Sequence, residues 1–268
     1  MAATDGAGRA HAGPPAHGGG GAAVSAPTLW RDLRRFTAAR VALGRVGNGL
    51  PTAAHLDFQE AHAQARDAVW STLDVPALQA ALGAQVVASA APDRRTYLLR
   101  PDLGRRLAEG ASFTPRPGCF AIVVADGLCA TGVQAQAPAL VASLTTGLQR
   151  AGWDVAPPVI ATQARVAIGD AIGQALGAAM VAVLIGERPG LSALDSMGIY
   201  LTHAPRPGRT DAERNCISNI RPGGLSLAEA VAKLLWLVAA ARGLGATGVA
   251  LKDEQPALPL IEDQPGGR

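Results

Sequence analysis

The segment Met180-Val-Ala-Val-Leu-Ile-Gly186-Glu187-Arg188-Pro189-Gly190 decides how this chain folds. Val181 to Ile185 is an unbroken apolar run of strand length, and the Gly-Glu-Arg-Pro-Gly turn stops it. An apolar run bounded by Gly and Pro reads as a strand covered on both faces, as in a parallel sheet. Ligands of open α/β sheets collect just beyond the carboxyl ends of such strands. Glu187 and Arg188 are therefore the first place to expect a ligand, and a surface ion pair between them is the competing reading.

The residues around this strand repeat its pattern. Upstream, Phe120 to Ala125 is a second buried strand closed by the turn pair Asp126-Gly127. A helix is expected over about Pro138 to Arg150, an extended segment at Val159-Ile160, and a helix from Val166 to Leu176. Further strands are expected at Gly198 to Thr202 and Cys216 to Ile220. Strands alternating with helices at these lengths imply βαβ units and a mostly parallel sheet, an α/β fold. Ser226-Leu-Ala-Glu229 is a capping box that opens a closing helix, with Gly243 or Gly245 as its stop. Val231, Leu234, Leu235, Trp236, Leu237 and Val238 leave that helix little polar face. A helix apolar all round must be covered on every side, which points to a subunit contact.

Before Thr114-Pro-Arg-Pro-Gly118 the pattern is helical. Leu29, Leu33, Phe36, Ala39 and Ala42 recur at helical spacing until Gly44, and a second helix fits Thr52 to Leu73. Gly44-Arg45-Val46-Gly47-Asn48-Gly49 between them matches no phosphate loop, because no strand feeds it, and reads as an inter-helix turn. Tyr97-Leu-Leu suggests a short extended piece, and Asp102 to Leu107 a helix. Residues 1–26 are Gly, Ala, Pro and His with almost no apolar bulk, a composition that stays disordered. The expected division is a tail at 1–26, a helical domain at 27–112, an α/β domain at 113–254 and a C-terminal tail at 255–268.

Composition excludes several function classes. The 268 residues are 49% apolar, 17% charged and 4% aromatic, with a net charge of +3. No apolar run reaches the roughly 20 residues of a membrane span, and the first residues lack the charged and apolar regions of a signal peptide. Lys233 and Lys252 are the sole lysines, and no run of like charge exceeds a few residues. A nucleic-acid surface would need a basic stripe or stacking aromatics. Three cysteines, Cys119, Cys129 and Cys216, form neither a disulfide framework nor a zinc motif, which fits a reducing cytoplasm.

Catalytic equipment is missing as well. There is no GxSxG elbow and no HExxH, and no histidine has another ligand in helical reach. What remains is Asp126, Glu187, Arg188 and the segment from Cys216 to Gly224, an inventory suited to binding a ligand rather than to running a reaction alone.

Read together, Leu98-Leu-Arg-Pro-Asp-Leu-Gly-Arg-Arg-Leu107, Ala125-Asp-Gly-Leu128, Ile185-Gly-Glu-Arg-Pro-Gly-Leu191 and Cys216-Ile-Ser-Asn-Ile220 resemble the small (light) chain of ethanolamine ammonia-lyase. The similarity is collinear over most of residues 30 to 252. It implies a lyase dependent on adenosylcobalamin that converts ethanolamine to acetaldehyde and ammonia, with homolysis of the cobalt–carbon bond and hydrogen abstraction by the adenosyl radical. The radical chemistry would belong to a large chain, a TIM barrel. This chain would have a helical N-terminal domain and a Rossmann-like domain that covers cobalamin at the subunit interface of a hetero-oligomer. Matching the family's motifs transfers cobalamin contacts to Val166, Glu187 and Cys216, with no catalytic and no metal-ligating residue. No Asp-x-His-x-x-Gly segment occurs, so the coenzyme is expected base-on. The expected location is the cytoplasm, with a bacterial microcompartment as the alternative. Two other readings compete: a free-standing Rossmann-type enzyme with Asp126 and Glu187 on a nucleotide, and a structural assembly module.

Overall fold

The computed structural model of the chain describes residues 32–255. They fall into two compact units that meet between Gln59 and Glu60. In the first, residues 34–45 are turn and irregular chain. Val46 and Gly49 close the glycine-rich turn by exchanging backbone hydrogen bonds of 2.9 and 3.0 Å. The helix expected between Leu29 and Gly44 lies partly outside the described residues and does not continue past Leu33. Phe36, its central apolar residue, is 84% exposed, and a short helix without a buried face is marginal in water. Helix α1, Thr52–Trp70, forms as the periodicity predicts.

The second unit is built around a six-stranded sheet. Its strands are β1 (Gln85–Ala88), β2 (Phe120–Ala125), β3 (Val159–Thr162), β4 (Met180–Gly186), β5 (Met197–His203) and β6 (Arg214–Ile220). The spatial order is β1-β3-β2-β4-β5-β6. The first four are parallel, and β5 and β6 continue antiparallel. The remaining helices are α2 (Val75–Leu82), α3 (Arg94–Leu99), α4 (Ala130–Arg150), α5 (Ile168–Leu176) and α6 (Leu227–Leu244). The result is a mixed α/β architecture with a mostly parallel sheet.

Strand alternation assigns the two faces. Phe120, Ile122 and Val124 with Met180, Ala182 and Leu184 face α2, α4 and α6. Ala121, Val123 and Ala125 with Val181, Val183 and Ile185 face α5. Every residue of β2 and β4 is buried, which is why both read as continuous apolar runs. The chain leaves β2 through α4 toward β3 and returns through α5 to β4 on the other side of β2. That reversal is the topological switch point at which α/β sheets open a crevice.

Four sequence expectations change. First, β1 falls inside the stretch 27–112 expected to be helical and pairs with β3 from Gln85↔Val159 to Ala88↔Thr162. Second, Tyr97-Leu-Leu is helical, because Asp93 caps α3 by accepting the Thr96 N–H at 2.7 Å. Asp102 to Leu107, expected as a helix, makes only a 3₁₀ turn at Leu103–Arg105. Third, α4 begins at Ala130 and runs through Pro138. Burial of Val133, Ala137, Leu140, Leu144 and Leu148 along one stripe outweighs the broken hydrogen bond. Fourth, the apolar wrap of α6 is met largely from within the chain. Ala230, Leu234, Leu237, Val238 and Ala241 are buried, and Val231, Leu235 and Trp236 pack partly against the same core. Gly147 of α4 makes room for this, since a Cβ there would sit 2.6 Å from Leu235 Cδ1. The capping box at Ser226 and Glu229 and the left-handed stop at Gly245 are as predicted.

Candidate functional site

The carboxyl ends of β2, β3 and β4 surround a cavity of about 410 Å³. Its floor is the contact between the turns that leave β2 and β4. Gly127 adopts φ +55°, and a Cβ there would lie 2.2 Å from the Gly186 carbonyl oxygen. A Cβ on Gly186 would lie 2.2 Å from the Cys129 carbonyl oxygen. Both glycines are therefore required by close backbone approach.

The wall on the β3 side is the loop Gln163 to Val166, and Asp126 holds it. Asp126 Oδ2 accepts the Gln163 N–H and Oδ1 the Ala164 N–H, both at 2.9 Å. Arg94 Nη1 donates to Oδ2 at 3.2 Å, and Arg94 Nε donates to the Val69 carbonyl at 2.8 Å. Asp126 is 3% exposed. Burial pushes its carboxyl pKa up, while the Ala164 and Gln163 amides and the Arg94 charge pull it down. All three partners are donors to the carboxyl oxygens, and burial, the largest influence, leaves the pKa raised. Gln163, at φ +52°, is a non-glycine residue in the left-handed region, held there by this clamp.

Behind the loop stands Tyr97, fully buried, whose hydroxyl donates to the Ala164 carbonyl at 3.1 Å. Burial raises its phenol to about 12, with the Arg165 charge pulling the other way, so it stays a neutral donor. The guanidinium carbons of Arg94 and Arg165 lie 4.8 and 4.4 Å from the centroid of its ring, within cation–π range. Arg165 lines the cavity, and its Nε is buried without a hydrogen-bond partner. An unmatched buried donor costs about 1–3 kcal/mol.

Glu187 forms the opposite wall. Its Oε2 accepts the Ser196 hydroxyl at 2.5 Å and the Asn219 N–H at 3.1 Å. Its Oε1 accepts no hydrogen bond within the described residues and lies 3.0 Å from where a Cβ on Gly198 would be. Glu187 and Arg188 form no ion pair with each other, and Arg188 is exposed at the rim. Val166 lines the same cavity, half-buried against the α5 side of the core.

Cys216 does not line the cavity but sits next to it. On β6 it is paired with Tyr200 of β5, which does line it. Its side chain is exposed, yet surrounding protein still raises its thiol pKa by desolvation. Burial, followed by the neighbouring thiol, raises Tyr200. Cys216 and Ser218 are both exposed, so this side of the β5–β6 edge is open to solvent. The three site residues read from sequence thus lie along one continuous surface.

His203 sits at the opposite edge of the sheet, where β5 pairs with the start of β4. Burial, then the Arg209 charge, lowers its pKa. Among the described residues, no group of three or more His, Cys, Asp and Glu could hold a metal ion. Sequence reasoning missed Arg94, Tyr97 and Arg165 as parts of the site. Arg165 had one signal, its position beside Val166; Tyr97 and Arg94 had none, because a buried contact 32 residues away from Asp126 leaves no local pattern.

A family model described as "Ethanolamine ammonia-lyase light chain (EutC)" matches residues 27–252. Proteins named "Ethanolamine ammonia-lyase small subunit" are similar over nearly their whole length. The one from Bradyrhizobium diazoefficiens is 57% identical over 240 residues, covering 85% of this chain and 91% of its own. That from Xanthomonas campestris pv. campestris is 52% identical, with 86% and 92% covered, and that from Ralstonia nicotianae 51% identical, with 87% and 91%.

Proposed function

This chain belongs to the ethanolamine ammonia-lyase light-chain family, and from that premise we propose that it serves as the lyase's small subunit by covering adenosylcobalamin at the interface with the large subunit. The observation that carries the proposal is the convergence of Val166 and Glu187 on one cavity, with Cys216 on the adjoining open sheet edge. A cavity of about 410 Å³ is near the lower end for drug-sized ligands, roughly 300–1,000 Å³. It suits one flank of a corrin rather than the whole coenzyme, as expected of a cover.

The donor set fits that group. The corrin rim carries amides, which offer both N–H donors and carbonyl acceptors. Glu187 Oε1 supplies an uncommitted acceptor for an amide N–H. Val166 supplies an apolar contact, and Cys216 supplies small packing volume rather than a strong hydrogen bond. When bound, the coenzyme supplies the radical chemistry through its cobalt–carbon bond. The residues of this chain orient its rim and exclude water. The coenzyme is read as base-on, without a protein ligand to cobalt.

The wider reading belongs to the same proposal: a TIM-barrel large chain, a hetero-oligomer, and residence in the cytoplasm with a microcompartment as the alternative. So does the division into a helical part at 27–112 and a Rossmann-like part at 113–254, with β1 lent to the sheet from upstream. No helix among the described residues is long and apolar enough to cross a membrane. The nucleotide-enzyme alternative would use Asp126 on a ribose, but that carboxylate is already occupied by three donors of its own chain.

Co-expression with the large chain and an ammonia-release assay on ethanolamine test the proposal. Activity is expected only with both chains and adenosylcobalamin present. Turnover by this chain alone, or nucleotide binding without cobalamin uptake by the complex, overturns it. A cobalt–nitrogen signature from a protein histidine in the paramagnetic resonance spectrum overturns the base-on assignment.

A further inference from the structure

Arg165 is held along its whole length, yet its Nε has no acceptor. Its backbone N–H donates to the Gly104 carbonyl at 2.8 Å. The preceding residue is clamped by Asp126. Gly104 leaves the space its stem occupies, because a Cβ there would lie 2.9 Å from Arg165 Cγ and 3.0 Å from the Tyr97 ring. The guanidinium rests 4.4 Å from the Tyr97 centroid. Yet Nε is buried with no acceptor, and among the described residues no carboxylate lies within ion-pair distance of Arg165.

Arg94, on the same ring, behaves differently. It also has one buried unmatched nitrogen, Nη2, but Asp126 and the Val69 carbonyl take its charge and its Nε, and it does not line the cavity. A preorganised planar donor that faces a cavity and lacks an acceptor is equipped to meet an oxygen from outside the chain.

We propose that Arg165 is a further coenzyme-binding residue, donating to an acceptor oxygen of the bound cobalamin while Tyr97 holds its guanidinium in place. The inference rests on the covering role proposed above. Cobalamin offers such an oxygen in two places, an amide carbonyl on the corrin and the phosphodiester of the nucleotide loop. Both are hydrogen-bond acceptors that an arginine fork can grip. Arg188 at the rim adds a second positive charge that makes no ion pair among the described residues.

The test is equilibrium binding of adenosylcobalamin and of adenosylcobinamide, which lacks the phosphodiester and the base, to the complex of both subunits. Binding is followed by absorbance after dialysis, for wild type, Arg165→Gln and Arg165→Lys. The account expects Arg165→Gln to weaken adenosylcobalamin binding about ten- to hundredfold while the subunits still assemble. Arg165→Lys, which keeps the charge but not the planar fork, recovers part of that loss. A loss confined to adenosylcobalamin assigns the phosphodiester, and an equal loss for both ligands assigns a corrin carbonyl. Either result supports the proposal. If Arg165→Gln fails to assemble, Arg165→Lys alone is read, and the account expects it to fall below wild type. Wild-type affinity for both ligands in an assembled variant overturns the inference and leaves the covering role standing. Failure of the wild-type complex to bind adenosylcobalamin removes the covering role, and the inference with it.

Discussion

Asp126 and Glu187 stand at the ends of neighbouring strands, β2 and β4, at the same edge of the same sheet. Asp126 is enclosed by three donors from its own chain, one of them a buried arginine. Glu187 uses one oxygen on Ser196 and Asn219, and the other, beside a cavity, accepts no hydrogen bond among the described residues. One carboxylate builds the wall of the site, and the other is left to work in it. The lesson is that position at a strand's carboxyl end nominates a residue, while the occupancy of its lone pairs decides its role.

The largest expected effect tests the enclosed partner. Asp126→Ala leaves Arg94 buried without its counter-charge, and breaking a buried pair in this way costs about 3–5 kcal/mol of stability. Chemical denaturation of the complex measures it. It also frees the loop that carries Arg165 and Val166, so coenzyme affinity falls as a consequence. If Asp126→Ala is as stable as wild type, the contrast between the two carboxylates is wrong.

Glu187→Ala comes next, and its effect is expected in a different quantity. Losing the acceptor weakens adenosylcobalamin binding by about 1–3 kcal/mol, while stability falls by only about 1 kcal/mol through the lost bonds to Ser196 and Asn219. A coenzyme titration beside a denaturation curve separates the two. Unchanged affinity would favour the assembly-module reading.

A third carboxylate, Glu213, sharpens the contrast because it lies beside the cavity-remote end of β5. The Thr210 backbone amide, then Arg209, holds its pKa at about 2 against the usual 4.5. A depressed carboxyl binds its proton less tightly folded than unfolded. Its contribution is therefore complete above pH 4.5 and is lost as pH falls toward 2. Glu213→Gln should flatten that part of the melting-temperature profile and leave coenzyme affinity untouched.

How much of this could be read in the sequence depended on range. β2 and β4 were legible because strands buried on both faces carry unbroken apolar runs, and α6 because its capping box is local. β1 was not, since four residues at a sheet edge, Gln85-Val-Val-Ala88, give too short a period. α3 was not legible either, because Tyr97-Leu-Leu looks like a strand unless Asp93 is recognised as its cap. The antiparallel strands β5 and β6 did have a signal: the β4–β5 connection, residues 187–196, is short, and a parallel crossover needs a dozen or more residues. Glu187 was legible from its place in the turn after β4, Val166 only through motif similarity, and both line one cavity. The Asp126–Arg94–Tyr97–Arg165 assembly was invisible because each contact joins segments distant in sequence.

In the proposed complex the open edge beside Glu187 lies under the coenzyme, and the chain carries a probe for it. Cys216 is exposed there, while Cys119 and Cys129 are buried. Maleimide labelling of the two-subunit complex at alkaline pH, where the raised Cys216 thiol ionises, should modify Cys216 without cobalamin and be suppressed once adenosylcobalamin is bound. Equal labelling with and without bound coenzyme would contradict the account.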